Sequence, residues 1–196
     1  MTIPTLITNY KAKVLETKLQ RMYSLMSNAI SLSTIDNGET TSWNYKQGDL
    51  STTYSEVLAW YEKYLSPYLK VLEVKQQEGS EDLLIYLLDG SILEIENIIY
   101  DMDFYTNEAA LKNSKSGANH FFFRFQPTLN ESQTDAPEFA NVTSPNFNSY
   151  GFCWDGTYEG AKHSSCSNGC YENGALCSKL LHLNNWRIPD DYPYNL

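Results

Sequence analysis

Four cysteines, Cys153, Cys166, Cys170 and Cys177, fall in one Gly-, Ser- and Asn-rich stretch near the C-terminus. Thiols grouped this way can cross-link, or they can hold zinc with His163 as a further ligand. The spacing is C-x12-C-x3-C-x6-C. It lacks the C-x2-C pair of common zinc sites, so zinc is disfavoured. An even count in a loop-rich segment points to two disulfides and to an oxidising compartment. Cross-links would there replace the packing that few apolar residues can supply. Three pairings are open. Cys166 and Cys170 flank Ser-Asn-Gly, a turn in which Gly169 can take positive φ. A small closed loop is feasible if their Cα atoms come within about 7 Å.

Two carboxylate pairs are the next candidates. Asp101 and Asp103 share a strand face by period two, as do Glu94 and Glu96. Paired carboxyls can do the acid–base work of a glycosidase. With no cleft signal around them, exposed solubilising charges are the preferred reading. Asp155, Asp190 and Asp191 offer the oxygen ligands that Ca²⁺ favours. That pattern is too loose to assign a metal. His120, His163 and His182 stand apart from one another and read as structural or solvated. No Gly-x-Ser-x-Gly elbow, His-Glu-x-x-His pair or phosphate-binding glycine loop occurs. The chain reads as a non-enzyme, with no cofactor, no metal and no catalytic residue.

These residues need a scaffold, and the first stretch supplies it. Leu15, Leu19, Met22, Met26 and Ala29 recur at alternating spacings of four and three, one face of a helix. Leu6, Tyr10 and Val14 form an earlier, slightly rotated stripe. Pro4 suits a helix start, and no Pro or Gly follows until Gly38. A helix over residues 4–33 would be roughly 45 Å long. Its apolar stripe is continuous in the second half and sparser before. The spacing therefore predicts a spine, half packed on a head and half projecting beyond it.

Asn37-Gly38 is a turn signal. Thr53 and Glu56 have the spacing of a capping box for a second helix. Val57 or Leu58, Tyr61 and Leu65 give its inner face. Ser66-Pro67 predicts a kink or restart, with Tyr68, Leu69 and Leu72 extending that face. The period then changes. Leu83–Leu88, Ser91–Ile95 and Ile98–Asp103 are short apolar runs, and Asp89-Gly90 between the first two is a hairpin signal. A polar insertion leads to a fourth run, His120–Phe125. The expected sheet is a meander of three or four antiparallel strands, one face on the spine and the other partly solvated. Residues 126–148 read as a long surface connection. The sequons at Asn130 and Asn141 read as chance matches. A short helix is expected from Ser178.

The fold class is α+β, in one domain over residues 1–196. Residues 1–33 are the spine, 34–82 a loop and the second helix, 83–126 the sheet, and 127–196 the cysteine-bearing region. Lys+Arg number 14 against 24 Asp+Glu, a formal net charge of −10. So acidic a chain repels phosphate backbones, and no nucleic-acid partner is expected. No apolar run approaches the ~20 residues that span a bilayer, so the chain by itself is expected to be soluble. There are 15 Tyr, 8 Phe and 4 Trp. Tyr is amphipathic and suits half-exposed contacts between subunits.

Both ends resemble a known family. Met1-Thr-Ile-Pro-Thr-Leu-Ile-Thr-Asn-Tyr-Lys-Ala-Lys-Val-Leu-Glu-Thr-Lys-Leu-Gln20 looks like the stretch following the membrane-embedded part of type IV pilins and type II secretion pseudopilins. Cys177-Ser-Lys-Leu-Leu-His-Leu-Asn-Asn-Trp186-Arg-Ile-Pro-Asp-Asp-Tyr192-Pro is similar to the closing segment of many such bacterial proteins. The Asp89-Gly90 hairpin also fits. The resemblance implies a structural subunit of a pilus or pseudopilus, whose N-terminal helix packs against other subunits. It implies an inner-membrane, periplasmic or extracellular place in a bacterium. The leader and the apolar start that anchors such proteins in the inner membrane would lie upstream of Met1. The resemblance also favours a nested pairing, Cys153–Cys177 around Cys166–Cys170, because Cys177 falls at the family's disulfide position. The alternative function is a secreted or surface binding module, such as a minor pilin or adhesin that grips a sugar or a surface partner.

Overall fold

The computed structural model describes residues 3–43, 51–97, 99–127 and 146–196. Both sequons and most of the expected connection over 126–148 lie outside the described residues. The first element is a helix, α1 (Ile3–Asn37). At 1.5 Å per residue it is about 50 Å long. Leu15, Leu19, Met22, Met26, Ala29 and Ile30 are all buried on one face. The early turns are not covered in the same way: Ile7 is 51% exposed and Tyr10 69%. Gly38, at φ +77°, ends the helix in the left-handed region, and its N–H returns to the Thr34 carbonyl at 3.1 Å.

Helix α2 (Tyr54–Tyr64) starts at the expected cap, where the Thr53 N–H donates to Glu56 Oε2 at 2.9 Å. Val57, Trp60, Tyr61 and Tyr64 face the core. The expected extension through Leu72 does not form. Ser66–Tyr68 is a single 3₁₀ turn around Pro67, and the chain then runs extended as β1 (Val71–Gln76). Proline keeps the preceding residue from continuing the helix, and Val71 and Val74 favour a strand. The register slips between Val71 and Glu73. Leu72 occupies that bulge and is 64% exposed instead of extending the buried face.

The sheet continues through β2 (Leu83–Leu87), β3 (Ile92–Ile95), β4 (Asp101–Tyr105), β5 (His120–Gln126) and β6 (Asn146–Ser149). All neighbouring strands are antiparallel and the order follows the sequence, a six-stranded meander. Three or four strands were expected. The two additional strands sit at the edges, one in the stretch read as helix and one in the stretch read as loop. The Asp89-Gly90 turn closes β2 on β3, with Gly90 at φ +78° and the Leu87 N–H on the Ser91 carbonyl at 2.8 Å.

Strand alternation divides the sheet. Leu83, Ile85, Leu93, Ile95, Met102, Phe104, Phe121, Phe123 and Phe125 share one core with the α1 stripe and α2. On the opposite face, short helix α3 (Glu108–Lys112) brings Ala110 onto Leu84, Ile92 and Tyr105. Asn107 caps α3, its side chain accepting from the Ala110 N–H at 2.9 Å.

After β6 the chain folds into α4 (Tyr158–Lys162) and α5 (Cys177–Leu183). Helix α5 begins one residue before the expected start at Ser178. It lies beside β5 and β6, with Ser178 Oγ donating to the Phe122 carbonyl. The last residues turn back to α1, where Lys11 Nζ reaches the Leu196 backbone oxygen at 3.1 Å. Among the described residues no helix is long and apolar enough to cross a membrane.

Candidate functional site

The outer face of the central strands carries the densest polar chemistry in the described chain. Cross-strand register places Glu94 opposite Asp103, Asp103 opposite Phe122, and Asp101 opposite Arg124. The Glu96 N–H bonds the Asp101 carbonyl at 3.2 Å, which continues the β3–β4 ladder to that pair. Period two in His120-Phe-Phe-Phe-Arg124 then aligns His120, Phe122 and Arg124 on the same face.

The charges here are mostly not surface solubilisers, which corrects the sequence expectation. Glu94 is 4% exposed and Asp103 7%. Each buried group has acquired a partner, as burial requires. Tyr105 OH donates to Glu94 Oε2 at 2.8 Å. His120 Nε2 lies 2.8 Å from Asp103 Oδ2, and its ring stacks on Tyr105 with centroids 4.4 Å apart. Arg124 Nε donates to Asp101 Oδ1 at 2.8 Å, and the guanidinium lies 4.1 Å from the Tyr100 ring centre and 4.9 Å from that of Tyr150. Burial, opposed by the Tyr105 hydrogen bond, pushes the Glu94 carboxyl up to about 7. Burial, followed by repulsion from Asp103 and Asp101, pushes that of Glu96 up to about 8.

A cavity of about 400 Å³ opens in front of this layer. Glu96, Asp101 and Asp103 stand on its sheet side, beside Phe122, Phe123 and Tyr150. Phe152, Cys166, Asn168, Asn173 and Ala175 form the rest, from the cysteine-bearing loops. Two acceptors in it are buried without a hydrogen-bond partner: Asp103 Oδ1 and Asn168 Oδ1. The Asn168 amide nitrogen is already committed to the Phe152 carbonyl at 2.8 Å. The carboxyl groups share one wall, so none faces another across the space.

The cysteines shape the loop side, and all four are paired. The pairing is Cys153–Cys166 and Cys170–Cys177, in sequence and not nested. Local turns explain the difference. The Gly169 carbonyl accepts from the N–H groups of Glu172, Asn173 and Gly174, and the Leu176 N–H returns to Asn168. That tight reversal brings Cys177 back to Cys170, with Cα atoms 4.4 Å apart. Ser164 Oγ bonds the Cys153 carbonyl at 3.3 Å and accepts from the Cys166 N–H at 3.2 Å, which draws those two segments together.

The other candidates do not converge. Asp155 accepts from the N–H and hydroxyl of Thr157 at the start of α4, and these bonds hold its carboxyl below the usual range. Asp191 pairs with Lys162 at 2.9 Å. Among the described residues no group of three His, Cys, Asp or Glu is placed to hold a metal ion. His163 is largely exposed. His182 stacks on Trp186 and also meets the ring of Tyr23 of α1, with centroids 4.8 Å and 4.5 Å away, and burial lowers its pKa to about 4.

Residues 5–196 match a family described as a family of unknown function, DUF6613. The chain belongs to DUF6613. No curated protein and no solved structure matches it. In this member of DUF6613, Arg124 is a site residue that sequence reasoning passed over, and His120, read there as structural or solvated, is paired with Asp103. Their signal lay in the alternation of β5, read against Asp101 and Asp103 on the neighbouring strand. Phe152 and Asn168 come from irregular loops, whose sequence carries no signal for where they fold.

Proposed function

We propose that this protein is a non-catalytic structural subunit of a bacterial type IV pilus or type II secretion pseudopilus, and that α1 is its assembly element. The observation that carries this reading is the exposed apolar surface that α1 keeps outside its buried stripe. Leu15, Leu19, Met22, Met26, Ala29 and Ile30 are buried, while Ile7 and Tyr10 stand exposed ahead of them on the same helix and Leu32 and Ile35 after them. Large exposed apolar and aromatic groups on a projecting helix are suited to packing against helices of neighbouring copies. The likeness of both termini to pilin-like chains supports the same reading, as do the two disulfides, which suit a periplasmic or extracellular head. The reading requires an apolar continuation of α1 ahead of Met1 to hold the subunit in the inner membrane.

Cell fractionation tests it. An antibody raised against the folded head should detect the full gene product in the inner-membrane fraction or in filaments sheared from the cells. Recovery only from the cytosol, with reduced cysteines, would reject it. A second reading, a secreted or surface binding module, is favoured by one observation: the acidic, aromatic cavity between the sheet and the disulfide loops.

A further inference from the structure

We propose that the cavity between β3–β5 and the disulfide loops binds an organic cation, a guanidinium or ammonium group on an apolar stem, with Glu96, Asp101, Asp103 and Asn168 as its acceptors. The inference does not depend on how the subunit assembles. It begins with the two orphaned atoms. A buried acceptor without a partner costs about 1–3 kcal/mol, so native structures rarely keep one without a reason. Asp103 Oδ1 and Asn168 Oδ1 are both in this condition, and both residues line the same space. Asp103 is 7% exposed, and its other oxygen is held by His120. Its free oxygen cannot simply turn to solvent.

What could satisfy them must donate hydrogen bonds. The cationic groups nearby and the Asn168 amide are already used. His120 is committed to Asp103, Arg124 to Asp101 and Tyr100, and the Asn168 amide to Phe152. Neither His120 nor Arg124 lines the cavity, and among the described residues no basic side chain does. The lining therefore presents three carboxyl groups, of which Asp101 is paired with Arg124 and Asp103 with His120 on one oxygen each, beside the side-chain amides of Asn168 and Asn173. Carboxylates and amide oxygens accept only, and a guanidinium or ammonium donates only. A neutral polyol would bring acceptors as well, and these would meet carboxylates.

The aromatic wall agrees. Phe122, Tyr150 and Phe152 line the same cavity. Aromatic faces attract cations and also cover an apolar stem. The volume, about 400 Å³, falls in the range of small-ligand sites. Burial first, and then repulsion from Asp103 and Asp101, raises the Glu96 pKa, and a bound cation would lower it again.

The test is a titration of the disulfide-intact chain by NMR with two cations and a neutral control. The cations are n-butylguanidinium, a free small molecule, and N-acetyl-L-argininamide, a peptide-borne guanidinium. N-acetyl-L-citrullinamide has nearly the shape of the latter without its charge. The expected result is shifts confined to Phe122, Tyr150, Phe152 and Asn168, with a cation binding at least ~10-fold tighter than citrullinamide, since charged hydrogen bonds exceed neutral ones by about that factor. Preference for butylguanidinium would point to a free metabolite, and preference for argininamide to a peptide. Glu96→Gln, which keeps shape and breaks no side-chain bond, should weaken binding about 5- to 10-fold. Asp103→Asn should weaken it further, and Ala175→Phe, which fills the space, should abolish it. Equal binding of citrullinamide, shifts elsewhere on the head, or no saturable shift with either cation would overturn the proposal. So would full affinity in Glu96→Gln.

Discussion

Glu16, in the middle of α1, accepts a hydrogen bond from the backbone N–H of Ile188 at 3.0 Å. Its other oxygen meets Lys13 at 3.1 Å and Arg187 at 3.7 Å. One carboxylate thus fastens the C-terminal segment to the helix. The Glu16 side chain is only 13% exposed, so the Ile188 bond is partly shielded from water. Glu16→Ala should lower stability by about 1–2 kcal/mol, read by urea denaturation. Amide exchange should quicken at 187–196 while β2–β5 stay protected. Unchanged exchange at 187–196 would show that the segment is held elsewhere.

The disulfide pattern predicts an uncoupling. Both bridges lie within the region after Ser149, and neither joins it to α1 or to β1–β5. In the chain-entropy model a closed loop of this order of length contributes about 3 kcal/mol. Reduction should loosen residues 150–176 first and leave the helix–sheet core folded. Non-reducing peptide mapping should recover Cys153 with Cys166 and Cys170 with Cys177. A Cys153–Cys177 peptide would contradict the packing of both loops.

Stability should depend on pH in a particular direction. Glu94 and Glu96 have folded pKa values raised to about 7 and about 8. The folded state therefore holds more protons than the unfolded one above about pH 4.5, and stability falls as pH rises through that window to 8. His182 acts oppositely. Its folded value is lowered to about 4, so stability is lost as pH falls from about 6.5 towards 4. The groups facing Glu96 are Asp82, Glu94, Asp101 and Asp103, with Arg124 and His120 beside the last two. Two carboxyls outweigh one imidazole, so Tm should be higher near pH 6 than near pH 8.5. Glu96→Gln should flatten the decline. A Tm that rises steadily from pH 6 to 8.5 would contradict the burial of this pair.

The helix was legible because its pattern is long and uninterrupted, and β2, β3 and β5 because each is a compact apolar run, whereas β4 begins at Asp101, three residues after the expected start at Ile98. Leu15, Leu19, Met22, Met26 and Ala29 have only one shared face to occupy, and Asp89-Gly90 can close only a tight turn. The edge strands were hidden for opposite reasons. Val71–Gln76 follows helical residues closely enough for Leu72 to be counted with them, although a bulge turns it outward. Asn146–Ser149 is polar at alternate positions and is recruited by pairing with β5, a tertiary effect that no local pattern carries. The carboxylates of the site were visible as same-face pairs. Their burial was not, because it depends on His120, Arg124 and Tyr105 arriving from other strands. The cystine pairing was equally hidden, since the turn at Gly169 decides it.

The account stands on α1 as the assembly element, and a photo-crosslinker tests that most directly. It would replace Tyr10 on the projecting turns and, separately, Leu72 on the exposed edge strand, in the full gene product within its own cells. The account predicts a ladder of covalent homo-oligomers from position 10 and none from position 72. Homo-oligomers from 72 with none from 10, or no homo-oligomer from either, would contradict it.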